Sequence, residues 1–253
     1  MLDGYIICAT PRSGSTLLCN LLASTGMTGN PNSYYHRPEI MGDWAAKWNL
    51  PGRDTMAAKE FSIAYLEATV RAGRGATNIF GLRLMREYLK GLSTLLDEIF
   101  PDLPSDVQRF ECAFGHILYI HLTREDKLAQ AVSLVKAEQT GLWHIAPDGA
   151  EIERLGVPQD PRYDFKLIQR KLTTLEAYDA AWNEWFEQQG IIPLRIRYEM
   201  LSERPAGTLL QICEALGVEV QKAEAVRPGV AKLADEISLD WIDRFQADLS
   251  SAT

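Results

Sequence analysis

Short runs of β-branched and aromatic residues alternate with longer stretches whose apolar positions recur at helical spacing. Tyr5 to Cys8, Asn78 to Met85, Ile117 to Thr123 and Ile191 to Tyr198 are the predicted strands. Ile117 to Thr123 is almost entirely β-former, as expected of a strand covered on both faces. The predicted helices lie between these runs. One starts near Gly14, carries Leu17, Leu18, Leu21 and Leu22, and stops at Thr25-Gly26, where glycine suits a C-terminal cap. Others cover residues 54–72, 86–99, part of 102–115, Glu125 to Gln139, 164–188 and 205–216, with a terminal helix around Trp241 in the stretch Val226 to Leu249. Residues 26–54 read as loop, broken by Gly26, Gly29, Pro31, Pro38, Pro51 and Gly52. Residues 143–162 read the same way, with Pro147, Gly149, Gly156, Pro158 and Pro161.

Strands alternating with helices predict an α/β fold: a P-loop-type parallel sheet of four to five strands flanked by helices on both faces. No repeat or low-complexity tract interrupts it, so residues 1–253 read as a single domain with loop insertions near 26–54 and 140–165. A ligand in such a sheet is expected at the carboxyl ends of the strands. The residues there are polar: Arg12, Ser13, Ser15 and Thr16 after the first run, Arg83 and Arg86 after the second, Thr123-Arg124-Glu125-Asp126 after the third, and Arg197-Tyr198-Glu199 after the fourth.

The first of these groups is the most informative. A β-run, a small-residue loop and a helix form a phosphate cradle, where backbone N–H groups and the helix N-terminus face the anion. Against the nucleoside-triphosphate pattern G-x-x-x-x-G-K-[ST], Ala9 to Thr16 keeps Gly14 and Thr16, but has Ala9 for the first Gly and Ser15 for the Lys. Arg12 is the remaining cation, which argues for a different phosphorylated ligand. Arg124 and Ser133 lie nine residues apart on the helix after the third strand, about two and a half turns, and offer a second anion contact. The net charge of −8 confines any positive field to such local clusters and argues against a nucleic-acid or anionic-membrane binder. An apolar share of 46% and a charged share of 24% are those of an ordinary soluble domain. Cys8, Cys19 and Cys213 sit in apolar patterns and read as buried free thiols. No Cys/His spacing suggests a metal, and no apolar run approaches membrane-spanning length, so a cytoplasmic protein without a transmembrane segment is expected.

Pro11-Arg-Ser-Gly-Ser-Thr16, Arg124…Asp126…Gln130-Ala-Val-Ser133 and Arg197-Tyr-Glu-x-Leu201 together resemble the sulfotransferase superfamily, and more narrowly the bacterial trehalose 2-sulfotransferase family, from Ile6 to Trp241. The resemblance implies 3′-phosphoadenosine 5′-phosphosulfate (PAPS) as sulfuryl donor, without a metal. It places the 5′-phosphosulfate on Arg12, Ser13, Gly14, Ser15 and Thr16, the 3′-phosphate on Arg124 and Ser133, and the segment Val226 to Lys232 over the nucleotide. It also implies a possible homodimer. The acceptor would be a hydroxyl of a small carbohydrate or glycolipid, met by Ser33, Tyr34, Arg83, Trp143 and His144. Sulfuryl transfer needs the acceptor's proton removed. The family carries a Glu for this in the loop after the first helix, in a P-Q-E-type motif, whereas this chain reads Pro31-Asn32-Ser33. His36, Glu39, or neither takes that role. A P-loop kinase and a non-catalytic nucleotide-binding protein remain as alternatives.

Overall fold

The computed structural model describes residues 2–52, 54–145, 148–219 and 235–251. Strand β1 (Gly4–Ala9) is fully buried and leads through the polar loop into α1 (Ser15–Ser24). Then come α2 (Pro38–Lys47), α3 (Ala58–Arg74), β2 (Phe80–Met85), a 3₁₀ turn at Arg86–Tyr88, α4 (Leu89–Ile99), α5 (Asp106–Phe114) and β3 (Ile117–Thr123). After these follow α6 (Lys127–Thr140), β4 (Leu142–Ile145), β5 (Glu151–Arg154), α7 (Phe165–Gln188), β6 (Leu194–Arg197), α8 (Tyr198–Glu203), α9 (Pro205–Leu216) and α10 (Glu236–Ser251). Four strands form a parallel sheet in the order β2-β1-β3-β6, as the strand–helix alternation predicted. Chain order reverses direction at β1, so its carboxyl end is the switch point where a ligand crevice opens.

Side chains on successive residues of β1 enter two different cores. Ile6 and Cys8 join Phe80, Leu82, Tyr65, Trp182 and Phe186 beneath α3, α4 and α7. Tyr5, Ile7 and Ala9 join Leu18, Leu21, Leu22, Ile212 and Leu216 beneath α1 and α9. A third cluster links α6, α7 and α10 through Val135, Ile168, Leu175, Trp241 and Phe245. Cys8, Cys19 and Cys213 are buried free thiols, as expected, while Cys112 is exposed.

The two stretches read as loop contain structure. Pro38 stands at the first positions of α2, where its missing N–H costs nothing and its fixed φ helps. Trp44 of that helix and Trp48 at its C-cap pack on Tyr34, with ring centroids 5.0 and 5.8 Å away. Residues 142–154 hold the antiparallel pair β4–β5. Gly141 starts it at φ 70°, and a Cβ there would lie 2.3 Å from the Leu155 carbonyl oxygen, so the chain leaves α6 only through glycine. Elsewhere the differences are at element ends: α6 begins at Lys127, after Asp126 caps it by accepting from the Ala129 N–H at 2.8 Å, and β6 is confined to Leu194–Arg197.

Candidate active site

A cleft of about 910 Å³ opens at the carboxyl ends of β1, β2 and β3. Its floor is the loop between β1 and α1. Arg12 and Gly14 both take left-handed backbone, at φ 62° and 85°. Gly14 caps α1 without a side-chain acceptor for the first-turn N–H groups, which leaves those donors facing the cleft. A Cβ on Gly14 would lie 2.4 Å from the Tyr198 ring, so glycine is required both by backbone and by contact. Ser13 is buried, and its Oγ has no hydrogen-bond partner among the described residues. The loop is fixed from below: Gln130 donates to the Thr10 hydroxyl at 3.0 Å and the Pro11 carbonyl at 2.7 Å. Lys127 donates to Gln130 at 3.1 Å and pairs with Asp179, and Trp182 donates to the Ala9 carbonyl at 3.0 Å.

Arg12 joins three parts of the site. Its Nε donates to the Ser133 hydroxyl on α6 at 3.0 Å, and its Nη1 to the Trp143 carbonyl on β4 at 2.7 Å. Its own carbonyl accepts from Arg124 at 3.4 Å. Burial, reinforced by the Arg124 charge, pulls its pKa down to about 10, so it remains a cation at neutral pH. The Arg124 guanidinium lies 4.8 Å over the Tyr198 ring, on the ring that Gly14 makes room for, and its buried Nε has no partner among the described residues. The two anion contacts read from the sequence therefore share one residue: Ser133, assigned with Arg124, is bonded to Arg12.

On the other side of the loop, Arg83 Nε donates to the Ser33 hydroxyl at 2.8 Å and its Nη1 to the Thr16 hydroxyl at 2.7 Å. His36 also lines the cleft, its ring 4.0 Å from that of Tyr88. Burial first, then the charges of Arg37 and Arg83, lower its pKa to about 4. Across the cleft, His144 Nδ1 lies 2.6 Å from Glu153 Oε2, on directly opposed positions of β4 and β5.

Arg12, Gly14, Ser15, Thr16, Ser33, His36, Arg83, Arg124, Ser133, Trp143 and His144 thus line one cleft. Three expected residues do not. Ser13 is fully buried within the loop. Tyr34 is fully buried and donates to the Asn30 carbonyl at 2.6 Å, because its ring completes the core under α2. Glu39 projects from the first turn of α2 into solvent, its carboxylate 3.9 Å from Arg37. Lys232 lies outside the described residues. His121, inside β3, is a core residue bonded to Arg195 at 3.0 Å. Glu199 accepts from the Glu125 N–H at 3.1 Å. Glu153, Glu87 and Tyr88 are among the cleft residues that were not singled out. Glu153 carries no spacing signal, since its approach depends on a hairpin with no alternating pattern.

A family model described as Stf0 sulphotransferase matches residues 4–248. The trehalose 2-sulfotransferase of Mycobacterium tuberculosis (strain ATCC 35801 / TMC 107 / Erdman) is 26% identical over 264 residues, covering 96% of this chain and 94% of that protein. The trehalose 2-sulfotransferase of Mycolicibacterium smegmatis (strain ATCC 700084 / mc(2)155) is 26% identical over 268 residues, with the same coverage. Among solved structures, the sulfotransferase domain from the Synechococcus PCC 7002 olefin synthase superposes with a TM-score of 0.47 at 17% identity, covering 98% of this chain and 89% of that one. A sulfotransferase from Alicyclobacillus acidocaldarius gives 0.43 at 14% identity, covering 99% and 93%. Among the described residues, no group of His, Cys, Asp or Glu has metal-binding geometry, and no helix is long and apolar enough to cross a membrane.

Proposed function

The chain belongs to the Stf0 sulphotransferase family, and we propose that it moves a sulfuryl group from PAPS to a hydroxyl of a carbohydrate or glycolipid acceptor. The observation that carries this is the donor-rich loop. Among the described residues, Ser13 Oγ and Arg124 Nε are buried and unpaired and the first-turn N–H groups of α1 have no side-chain acceptor, and Arg12 holds a charge in a desolvated place. Such a set fits an anion, since buried polar groups left without partners are costly. Ser13 to Thr16 would hold the 5′-phosphosulfate and Arg124 with Ser133 the 3′-phosphate, with Arg12 joining the two. The donor supplies an activated sulfuryl group whose transfer passes through a loose transition state, with charge growing on the leaving oxygen. The chain's part is to hold a cation and N–H donors at that oxygen without reorganisation. Arg83 sets the two adjoining hydroxyls, Thr16 on the loop and Ser33 on the acceptor side.

Ser33 favours one other reading, a PAPS-binding protein that no longer transfers, because a serine is a poor base at neutral pH. The two part in one experiment. Thermal unfolding with 3′-phosphoadenosine 5′-phosphate (PAP), the bisphosphate product, tests the donor site, and transfer of label from PAPS to a panel of mono- and disaccharides tests the chemistry. Stabilisation by PAP together with labelled sugar is the expected outcome. Stabilisation without transfer to any acceptor favours the binding protein, and no stabilisation overturns both.

A further inference from the structure

We infer that His144 takes the acceptor's proton through its Nε2 and that Glu153 is the positioning residue that makes it able to. This rests on the sulfuryl-transfer reading above. His144 Nδ1 and Glu153 Oε2 lie 2.6 Å apart, so the carboxylate holds the N–H of the imidazole and leaves Nε2 as the acceptor lone pair. No other partner of either His144 nitrogen is present among the described residues. Both side chains line the cleft that contains the anion loop. The preceding residue, Trp143, accepts from Arg12 through its carbonyl at 2.7 Å. The cation assigned to the leaving oxygen is thereby tied to the strand that carries the base.

The other histidine of the cleft is less suited. His36 is kept neutral by burial and by the flanking charges of Arg37 and Arg83, which also make it a weak base, and its Nδ1 is buried without a carboxylate to orient it. Around the dyad, the charged groups acting on Glu153 are Arg83 from β2 and Arg12 from the loop, and the neutral His36 before α2 also feels its charge. Its bond to His144 first, then the charges of Arg83 and Arg12, favour the ionised Glu153 over the opposing effect of burial. In the step itself, the acceptor oxygen forms a bond to sulfur and the sulfur–oxygen bond to the 5′-phosphate breaks. That electron pair leaves with the bisphosphate, and the acceptor's proton passes to His144 Nε2 and then to water.

The test uses the full chain, PAP binding by thermal shift, and labelled PAPS with whichever sugar the wild type sulfates. His144→Ala lowers kcat by about 10²–10³, keeps the wild-type PAP shift, and is rescued by added imidazole. Glu153→Gln lowers kcat about tenfold with the KM for the sugar and the PAP shift unchanged, and Glu153→Asp restores part of the loss, because the carboxylate fixes the tautomer and orientation of the imidazole. If His144→Ala turns over within threefold of wild type, loses the PAP shift along with turnover, or gains nothing from imidazole, the dyad is overturned while the transfer reading stands. If the wild type neither binds PAP nor transfers label, the transfer reading falls first and the dyad with it.

Discussion

Replacing Arg12 by methionine removes the charge and keeps the bulk, and the structure gives opposing contributions to stability. The guanidinium pKa is pulled down to about 10 by burial and by Arg124. For a cation, a lowered pKa means that the charged form is held in the fold at a cost, on the order of 3 kcal/mol at about 1.4 kcal/mol per pKa unit. Against this stand two hydrogen bonds, to Ser133 and to the Trp143 carbonyl. Each is worth roughly 1 kcal/mol, and the carbonyl left without its donor costs about 1 kcal/mol more. The left-handed φ of 62° is no worse for Met than for Arg, so it cancels. The contributions nearly balance, and Arg12→Met in the absence of ligand unfolds within about 4 °C of the wild type. Its turnover falls by roughly 10²–10³, the usual effect of losing one donor at a developing charge. Differential scanning fluorimetry with and without PAP reads both halves. PAP at about 100 times Kd stabilises the wild type by roughly 2.7 kcal/mol, and most of that shift is lost in the variant. A fall of more than about 10 °C without ligand makes Arg12 a structural member of the fold. An undiminished PAP shift with normal turnover removes it from the anion site.

Gly14→Ala places a side chain at φ 85° and 2.4 Å from the Tyr198 ring. Left-handed strain alone costs about 1–2 kcal/mol, so Tm falls by roughly 2–8 °C, and displacement of Tyr198 from under Arg124 weakens PAP binding at least tenfold. The double variant Gly14→Ala/Tyr198→Ala recovers part of the affinity, and additive losses in a titration speak against this coupling. His121 has its pKa lowered to about 4, by burial first and then by Arg195 and Lys127. The unfolded chain therefore binds a proton that the folded chain refuses between about pH 6.5 and 4, and stability is lost as pH falls through that window. Chemical denaturation at pH 7.5 and 5 shows a loss of about 2 kcal/mol from this residue, and His121→Gln flattens the slope. An unchanged slope in that variant assigns the acid sensitivity elsewhere.

What the sequence disclosed was local or periodic. β1, its loop and α1 follow from the consecutive residues Gly4 to Ser24, and Ser13 to Thr16 are donors whatever surrounds them. The parallel sheet follows from strand–helix alternation. What stayed hidden depends on position within an element or on a partner far along the chain. Pro38 counts as a breaker in a scan, yet at the first turn of α2 it is a helix former. Tyr34 reads as a cleft aromatic until Trp44 and Trp48 fold back over it. Arg12 meets Ser133 and Trp143 across 121 and 131 residues, and no spacing rule encodes such a meeting. Glu153 is one of 34 acidic residues, and only the His144↔Glu153 register distinguishes it.

Ser33 is where this chain and the family pattern part, and its surroundings show how the loss is balanced. A carboxylate there would stand against Arg83, which now donates to the Ser33 hydroxyl at 2.8 Å and to Thr16 at 2.7 Å. Serine satisfies the hydrogen bond but leaves the charge of Arg83 to be met from further off. Glu153, on the opposite wall, is the carboxylate whose ionised form Arg83 and Arg12 both favour. On the reading proposed above, the Glu153–His144 pair on the hairpin takes the place of a carboxylate in the loop before α2. If that exchange is functional, the two arrangements are interchangeable. Ser33→Glu introduced into His144→Ala raises kcat at least tenfold over His144→Ala alone, by restoring a base beside Arg83. The same substitution in the wild type raises KM for the sugar more than it changes kcat, because the buried position at Ser33 must now take a longer side chain. A double variant as slow as His144→Ala, with its PAP shift intact, means that the acceptor hydroxyl is not presented to the Ser33 side of the cleft.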